Sequence, residues 1–495
     1  MCKYKKPIKI KKIMKKLNRL LFSAAFLASL LVFNACEKDD PEPDGQKPTI
    51  DVGADIIGMT DETYPINVTV SDPDGNDITL TWKVIQSPAN STPEIKEIGK
   101  TSSSFTTDIA GLYKVEITAS NANGKSDTGI LTLYIGGKLP NRIDNKTTYP
   151  DLFENEDYPD YYALNNIQIT QGITLEPGVV IENAADAGLW FSGNNAFLDA
   201  RGTAAKNIIF RGMDKVRGSW KAIHIASNNV NNKLDYVQIL HAGSSAISNK
   251  KTALILQSNT YTQASITNTH ISQSGGYGLY IDGNGGNLTA FANNNFSDNA
   301  AAPIRFGAEN MYVLDKNSVY QNNGIQAIEI AAGGNTNAVF NNSGTIPDPG
   351  LRYHVYSSFE LKTEVTFASG VTCLFDKGLR LWVTSQGAII ANAVTDPISF
   401  QGMVEEPGSW HGIEIASPSP LNSLDGVIIR HGGDIGGRGA NIYLFGSSPG
   451  SKLSVTNSEI SDSETWGIWA TSGSVVLNES NNTFSNNASG DVRID

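Results

Sequence analysis

Residues 211–243 and 401–433 align without a gap at an offset of 190, with 16 of 33 positions identical. The shared residues include Gly212-Met213, Gly218-Ser219-Trp220, Ile223, Ile225-Ala226-Ser227, Leu234-Asp235, Val237, Ile239, His241 and Gly243, and the second copy repeats them from Gly402 to Gly433. Similarity extends outward, pairing Leu189-Trp190-Phe191 with Leu381-Trp382-Val383 and Ser265-Ile266-Thr267-Asn268 with Ser454-Val455-Thr456-Asn457. A shorter period runs inside each copy. One series of apolar strand centres falls at Ile223, Leu254, Leu279, Ile304 and Ile328, and a second at Ile239, Ile271, Phe296 and Val319. The other copy repeats the pattern at Ile413, Ile442, Ile468 and at Ile429, Ile460, Phe484. After one longer step the spacings settle to 23–25 residues. Two interleaved series at one period require coils that each give at least two strands to two stacked sheets. No strand then finds its partner inside its own coil, so stability comes from stacking. The 358 residues of 138–495 make about 14 such coils at about 25 residues each. Asn-rich stretches such as Asn293-Asn294-Asn295 and Asn481-Asn482 suit the corners, because Asn tolerates left-handed backbone and its amide can bond the next coil.

Segment 138–495 resembles the right-handed, pectin-lyase-like parallel β-helix superfamily, and its duplicated Gly-Ser-Trp-x-x-Ile-x-Ile pattern is similar to that of β-helix lipoproteins of Bacteroidetes. The copies span about 165–332 and 358–495, and a break in the helix is expected, if anywhere, in the Asn-, Gly- and Pro-rich residues 333–360.

Before the helix, residues 47–137 hold short alternating strands, Ile66-Val68-Val70, Ile78-Leu80-Trp82-Val84, Tyr113-Val115-Ile117 and Leu131-Leu133-Ile135. Side chains two apart share a sheet face, so each run offers one apolar face to a two-sheet sandwich. Ser71-Asp72-Pro73-Asp74-Gly75-Asn76-Asp77, the following Trp82, and Ala110-Gly111-Leu112-Tyr113 are similar to PKD-type and related Ig-like domains. That resemblance implies a Trp in the core and a Tyr closing a corner. The fold class expected is all-β, an Ig-like sandwich followed by a long right-handed parallel β-helix. Asp72, Asp74, Asn76 and Asp77 are candidate calcium ligands. Without the later Glu of an EF-hand, a tight turn in which Asp and Asn bond their own backbone is the expected reading, and no cofactor is required.

The first 36 residues read as an address. A basic stretch from Lys3 to Arg19 precedes an apolar run, Leu20–Phe33, whose 14 residues are too few to span a bilayer core of about 30 Å. Phe33-Asn34-Ala35-Cys36 resembles a bacterial lipobox, although Phe33 departs from the usual Leu, Val or Ile, and implies lipidation of Cys36. Residues 37–46, opening Glu37-Lys38-Asp39-Asp40-Pro41, form an acidic, Pro-stiffened linker similar to the surface-export signal of Bacteroidetes lipoproteins. The expected location is therefore the outer membrane, facing outward. Nine of the 38 basic residues lie in this leader, leaving 29 against 50 acidic residues, a net charge of −21 that repels phosphate backbones and excludes nucleic acid as a partner. With Cys2 in the leader and Cys36 lipidated, Cys373 has no disulfide partner, and its strand-like surroundings make it a core residue.

Chemistry is sparse. The helix region lacks the adjacent-Asp, Gly-His-Gly and Arg-Ile-Lys patterns of polygalacturonases and the aspartate cluster of calcium-dependent pectate lyases. The duplicated pairs Asp235/His241 and Asp425/His431 are the best catalytic candidates, since six residues along a strand return to the same side. An active site copied so faithfully is unusual, and a structural role at a Gly-containing corner is expected instead. If Ile223/Ile225 and Ile413/Ile415 point inward, strict alternation puts Trp220, His224, Trp410 and Glu414 outside, and the same holds for Trp190, Tyr280, Trp382, Tyr443 and Trp469. Trp382, Trp410, Tyr443 and Trp469 then form a stripe along the helix, with Trp190, Trp220 and Tyr280 in the first copy. The alternative is that these rings lie under loops and cover sheet edges. The expected function is non-catalytic presentation of a rigid surface to a polysaccharide or a cell-surface protein. A polysaccharide lyase or glycoside hydrolase is the alternative, and a plain stalk or adhesin a third. The acidic, aromatic segment Phe153–Tyr162 is expected to cap or link the solenoid end.

Overall fold

A computed structural model describes residues 45–495 apart from 258–260, 283–284, 333–335, 394 and 447–448. The leader, Cys36 and nearly all of the acidic linker lie outside the described residues.

The sandwich forms because period-2 alternation leaves one face of each strand apolar. Ile78–Gln86, Gly111–Asn121 and Ser126–Lys138 build an antiparallel sheet, with Ile56–Met59 added parallel to the last. Tyr64–Asn67, Ser102–Thr106 and Glu94–Gly99 build the opposing sheet. Ile66, Phe105, Tyr113, Val115, Ile117, Leu131, Leu133 and Ile135 fill the space between. The Tyr113 hydroxyl donates to the Ile109 carbonyl at 2.6 Å and pairs with the Thr107 hydroxyl at 2.7 Å, closing the corner. Trp82 borders this core, half-buried, instead of plugging it. Asp72 is a turn residue. Its Oδ1 accepts the backbone N–H groups of Asp74 and Asn76 and the Asn76 amide, and its Oδ2 accepts the Asn121 amide.

From Arg142 onward the chain winds as a parallel β-helix with three strands per coil, one more than the two apolar series required. One sheet, the spine, is 14 strands deep among the described residues and runs from Arg142–Ile143 to Thr483–Ser485. Its inward ladder passes through Ile167, Leu189, Ile223, Leu254, Leu279, Ile304, Ile328, Tyr353, Cys373, Phe400, Ile429, Ile460 and Phe484. The small, wholly buried Cys373 fits between the larger Tyr353 and Phe400, and burial pushes its thiol pKa far up. The spine is continuous from one copy to the other, because Ile328–Ile330 pairs in register with Tyr353–Val355. Val319, expected inside, is 40% exposed, and Tyr320 takes its place against Phe296.

The other two faces do change there. In the first copy the spine is flanked by one sheet ending at Asn287–Ala292 and another ending at Val319–Gln321. New sheets begin at Ala338–Phe340 and Gly344–Ile346. The 3₁₀ turn Ala308–Val313 stands where a strand would. It buries Met311 in the core, donates the Asn310 amide to Gly286 O at 2.9 Å, and holds Asn342 through Glu309 at 2.7 Å. Equivalent strands of the two copies consequently occupy different faces. Ile223–Ala226 belongs to the spine, whereas its counterpart Gly412–Ile415 belongs to a flanking sheet and Val427–Arg430 takes the spine. Seven spine rungs separate Ile223–Ala226 from Ile398–Gly402, and one further face leads to Gly412–Ile415. The offset of 190 is thus seven coils and a third.

Buried Asn side chains staple the coils. Asn299 accepts the Ser274 N–H at 3.1 Å and donates to Ile271 O at 3.2 Å; Asn294 and the half-buried Asn487 repeat the arrangement, and Asn422 accepts the Ile389 N–H of one coil and donates to Lys452 O of the next. Each satisfies backbone groups that a corner leaves unpaired.

Strand Ser126–Lys138 belongs to both modules. Its last residues, Gly137 and Lys138, pair parallel with Tyr161 and Tyr162 of the first coil, so the sandwich sheet continues as a face of the helix. Segment Phe153–Tyr162 is the link, as its composition led us to expect. Tyr158 stacks on Tyr134 of the sandwich at 3.8 Å, and the Arg211 guanidinium donates to the carbonyls of Glu156 and Asp157. Asp160, fully buried, accepts the N–H groups of Leu152, Phe153 and Val180. Burial pushes its pKa up to about 6, against the pull of those three donors. A raised carboxyl pKa adds stability in full below the unfolded value, near 3.8, that is lost as pH rises through about 6. Asp160→Asn removes this dependence. Thermal melts of parent and variant from pH 4 to 7 are expected to shift steadily in the variant's relative favour, and a constant difference would contradict the assignment.

Candidate functional site

Sites on a β-helix are read from side chains that alternate out of step with the core. The outward ladder of the spine runs Gln168, Trp190, His224, Ile255, Tyr280, Arg305, Glu329 and His354, each in register with the next. Between Ile255 and the solvent lies a second, external apolar cluster of Ala222, Ile247, Tyr277, Tyr280 and Ala302, with Trp190 packed at its edge. The loop carrying Ile247 therefore roofs the middle of the ladder and leaves two ends.

At one end is a cavity of about 450 Å³, open to solvent and lined by Asn166, Gln168, Trp190, Ser192, His224 and Gln257 among others. The half-buried Trp190 ring meets His224 edge-on at 4.5 Å, its indole N–H donates to Asn166 Oδ1 at 3.2 Å, and Lys221 Nζ lies 5.4 Å from the ring centre. His224 Nε2–H donates to Gln257 Oε1 at 2.6 Å, which leaves Nδ1 an acceptor. Burial lowers the pKa of His224, so the ring is neutral at pH 7. Arg142 takes Gln168 Oε1 and is itself paired with Asp144 at 2.7 Å. The amide oxygens are thus occupied from within. The cavity offers three amide NH₂ groups, one imidazole acceptor, a hydroxyl and an indole.

At the other end is a polar cluster that the spacing arguments missed. Glu329, only 1% exposed, is paired with Arg305 at 2.5 Å and accepts the hydroxyls of Tyr277 at 3.0 Å and Tyr356 at 3.2 Å. Burial and the Glu329 charge push Tyr277 up to about 12. His354 Nε2 meets Asp376 Oδ1 at 2.7 Å, and its ring lies 4.1 Å from Tyr356. His354 Nδ1 is buried without a partner. The signal was available: each of these ladder residues follows an inward spine centre by one position.

The second copy carries its ladder on the flanking sheet as Glu360, Trp382, Glu414, Tyr443, Trp469 and Arg493. Tyr443 and Trp469 are half-buried neighbours at 5.6 Å, the Arg493 guanidinium covers Trp469 at 4.2 Å, and Arg438 lies 5.8 Å from Tyr443. Arg380 sits over Trp382 at 4.9 Å and pairs with the buried Glu414 at 2.8 Å.

Trp220 and Trp410, expected outside, are wholly buried, and this is a correction. Both precede their strands at a corner, where alternation does not yet hold, and both turn into the core. Trp220 donates its indole N–H to Leu240 O at 2.7 Å, Trp410 to Arg430 O at 2.8 Å, and Trp410 stacks on Phe375 at 4.5 Å. The Gly-Ser-Trp motif is a corner plug. His224 and Glu414 do alternate out of the core but are buried by their surroundings, at 7% and 1% exposure, and Tyr280 lies beneath the Ile247 loop.

Asp235 and His241 stand on strands of different faces and do not meet. Asp235 accepts the Thr267 hydroxyl and Asn268 amide at 2.8 Å, and Asp425 accepts Thr456 and Asn457 at 2.7 Å. His241 and His431 adopt left-handed backbone, with φ of 67° and 63°, so that their carbonyls accept the N–H groups of Ser219 and Ser409. Burial lowers both imidazole pKa values. Among the described residues no group of three or more His, Cys, Asp or Glu side chains is placed to hold a metal ion.

Replacing a corner plug removes a large buried ring, so Trp220→Ala or Trp410→Ala is expected to cost about 3–5 kcal/mol. Trp190→Ala and Trp469→Ala, half-exposed, are expected to cost about 1 kcal/mol or less. Thermal denaturation ranks the four, and an equal loss in all of them contradicts the division into plugs and ladder residues.

No protein-family model matches the chain, and no curated protein matches it. Among solved structures the chain is similar to the solution structure of the PKD domain from human KIAA0319, at 19% identity and a TM-score of 0.19, over 21% of this chain and 92% of that domain.

Proposed function

We propose that this protein is a non-catalytic glycan-binding protein of the cell surface, held to the outer membrane by lipid on Cys36 and receiving a sugar ring in the Trp190 cavity. The lining of that cavity carries the reading. An indole matches the apolar C–H face of a pyranose, while amide NH₂ groups and a neutral imidazole acceptor match its hydroxyls. Beside the cavity Arg142 is already paired with Asp144, whereas the Lys221 ammonium lies 5.4 Å from the Trp190 ring centre. Affinity electrophoresis of residues 45–495 through xylan, galactomannan and laminarin gels tests it. Retardation in at least one gel is expected, and Trp190→Ala should abolish the part due to this cavity. Migration unaffected by every polysaccharide would remove the proposal.

A lyase or hydrolase is supported by one observation, the Asp376–His354 pair beside Glu329, Arg305 and two tyrosines. An imidazole oriented by a carboxylate, with its other nitrogen unpartnered, is the arrangement of a general base. Both Glu329 oxygens are engaged and 1% of the residue is exposed, so Glu329 itself is not free to meet a substrate. The same polysaccharides, followed for absorbance near 235 nm and for new reducing ends, should yield nothing above background. Product lost in His354→Ala would replace the binding reading with an enzymatic one.

A further inference from the structure

The two outward ladders match rung for rung. Trp190, His224, Ile255, Tyr280 and Arg305 in the first copy stand where Trp382, Glu414, Tyr443, Trp469 and Arg493 stand in the second. Trp, an aromatic three rungs on, and an Arg after it are common to both. Core residues explain the repeat of Ile and Leu, but these side chains point away from the core; Arg305 answers the buried Glu329 and Arg493 pairs with Asp495, while the repeated aromatics lie outside the inner ladder. Because the copies are offset by seven coils and a third, the ladders do not lie on one line. One is on the spine and the other on the adjacent flanking face, a third of a turn around. At about 4.8 Å per coil, the two Trp rungs are about 35 Å apart along the axis. The faces also differ in access. The Ile247 loop narrows the first to a cavity at Trp190, whereas Tyr443 and Trp469 are partly exposed, each with a guanidinium, of Arg438 and Arg493, over one ring face.

We infer that the protein is bivalent, binding one polysaccharide chain in the Trp190 cavity and a second along Tyr443 and Trp469, and so cross-links chains instead of merely holding one. This rests on the glycan-binding reading of the Trp190 cavity. Faces a third of a turn apart cannot both lie along one stiff chain, so the second site engages a different chain. On a coated surface, two engaged sites raise avidity by about 10²-fold or more over one.

Agglutination separates this from single-site binding. Latex beads coated with galactomannan, xylan or laminarin are mixed with residues 45–495, which hold both hydrophobic cores entire. The parent is expected to agglutinate beads of at least one coating. Trp190→Ala alone, and Tyr443→Ala/Trp469→Ala alone, should still sediment with those beads, about 10²-fold more weakly, without agglutinating them. The triple variant should not sediment at all. Melting temperatures near that of the parent confirm that the variants fold. A parent that sediments without agglutinating overturns bivalency and leaves glycan binding standing, as does a Tyr443→Ala/Trp469→Ala variant that agglutinates like the parent. A parent that sediments with no coating overturns both.

Discussion

Everything in the helical part depends on coil-to-coil register. A strand in a hairpin can recruit its neighbour through a short turn, but here each strand's partner is a full coil away, and only in-register stacking satisfies its backbone. That register is enforced from inside by the ladder from Ile167 to Phe484 and at the corners by Asn amides that both accept from and donate to the backbone of the neighbouring coil. A slip of one residue would send the ladder outward and bring Trp190, Arg305 and Glu329 into the core. The constraint that builds the core therefore also builds the outer surface, with each functional side chain held one position from a buried aliphatic one.

The duplicated segment shows how such a surface diversifies. Its Gly-Ser-Trp plug and its His corner recur because each closes the same backbone gap, and its Asp because it ties the Thr and Asn side chains of the next coil. Rotation by one face leaves these internal roles unchanged, since every face offers the same core. It changes the surroundings of the outward residues. His224 is bonded to Gln257 in the lining of an open cavity, whereas its counterpart Glu414 is sealed against Arg380.

Much of the architecture was legible in the spacing of apolar residues. The period predicted stacked coils, and the apolar alternation of residues 47–137 a sandwich. What was not legible followed from geometry that a period does not contain. The third strand of each coil came from short segments such as Leu234 and Leu424 that lie between the two main series. Trp220 and Trp410 misled because alternation was extended one corner too far, beyond the first residue with strand geometry. Arg305, Glu329 and His354 were passed over because they share no motif and lie 24 or 25 residues apart, although each follows an inward centre of the spine by one position. Pairing across coils, not proximity in sequence, assembles them.

The seam at Gly137 and Lys138 has a mechanical consequence. Hydrogen bonds of a β-helix lie along its axis, so tension along that axis is borne by successive coils in series, and the rung with the fewest bonds parts first. Between any two inner coils up to three sheets share the pull. Between sandwich and helix, among the described residues, one sheet crosses, through two paired residues, buttressed by the Tyr134–Tyr158 stack, the Arg211 clamp and Asp160. A chain tethered at its N-terminal end and loaded farther along the helix would concentrate that strain at this seam. Detachment would then begin with the two modules separating there, while the coils that carry the Trp190 and Trp469 ladders stay wound.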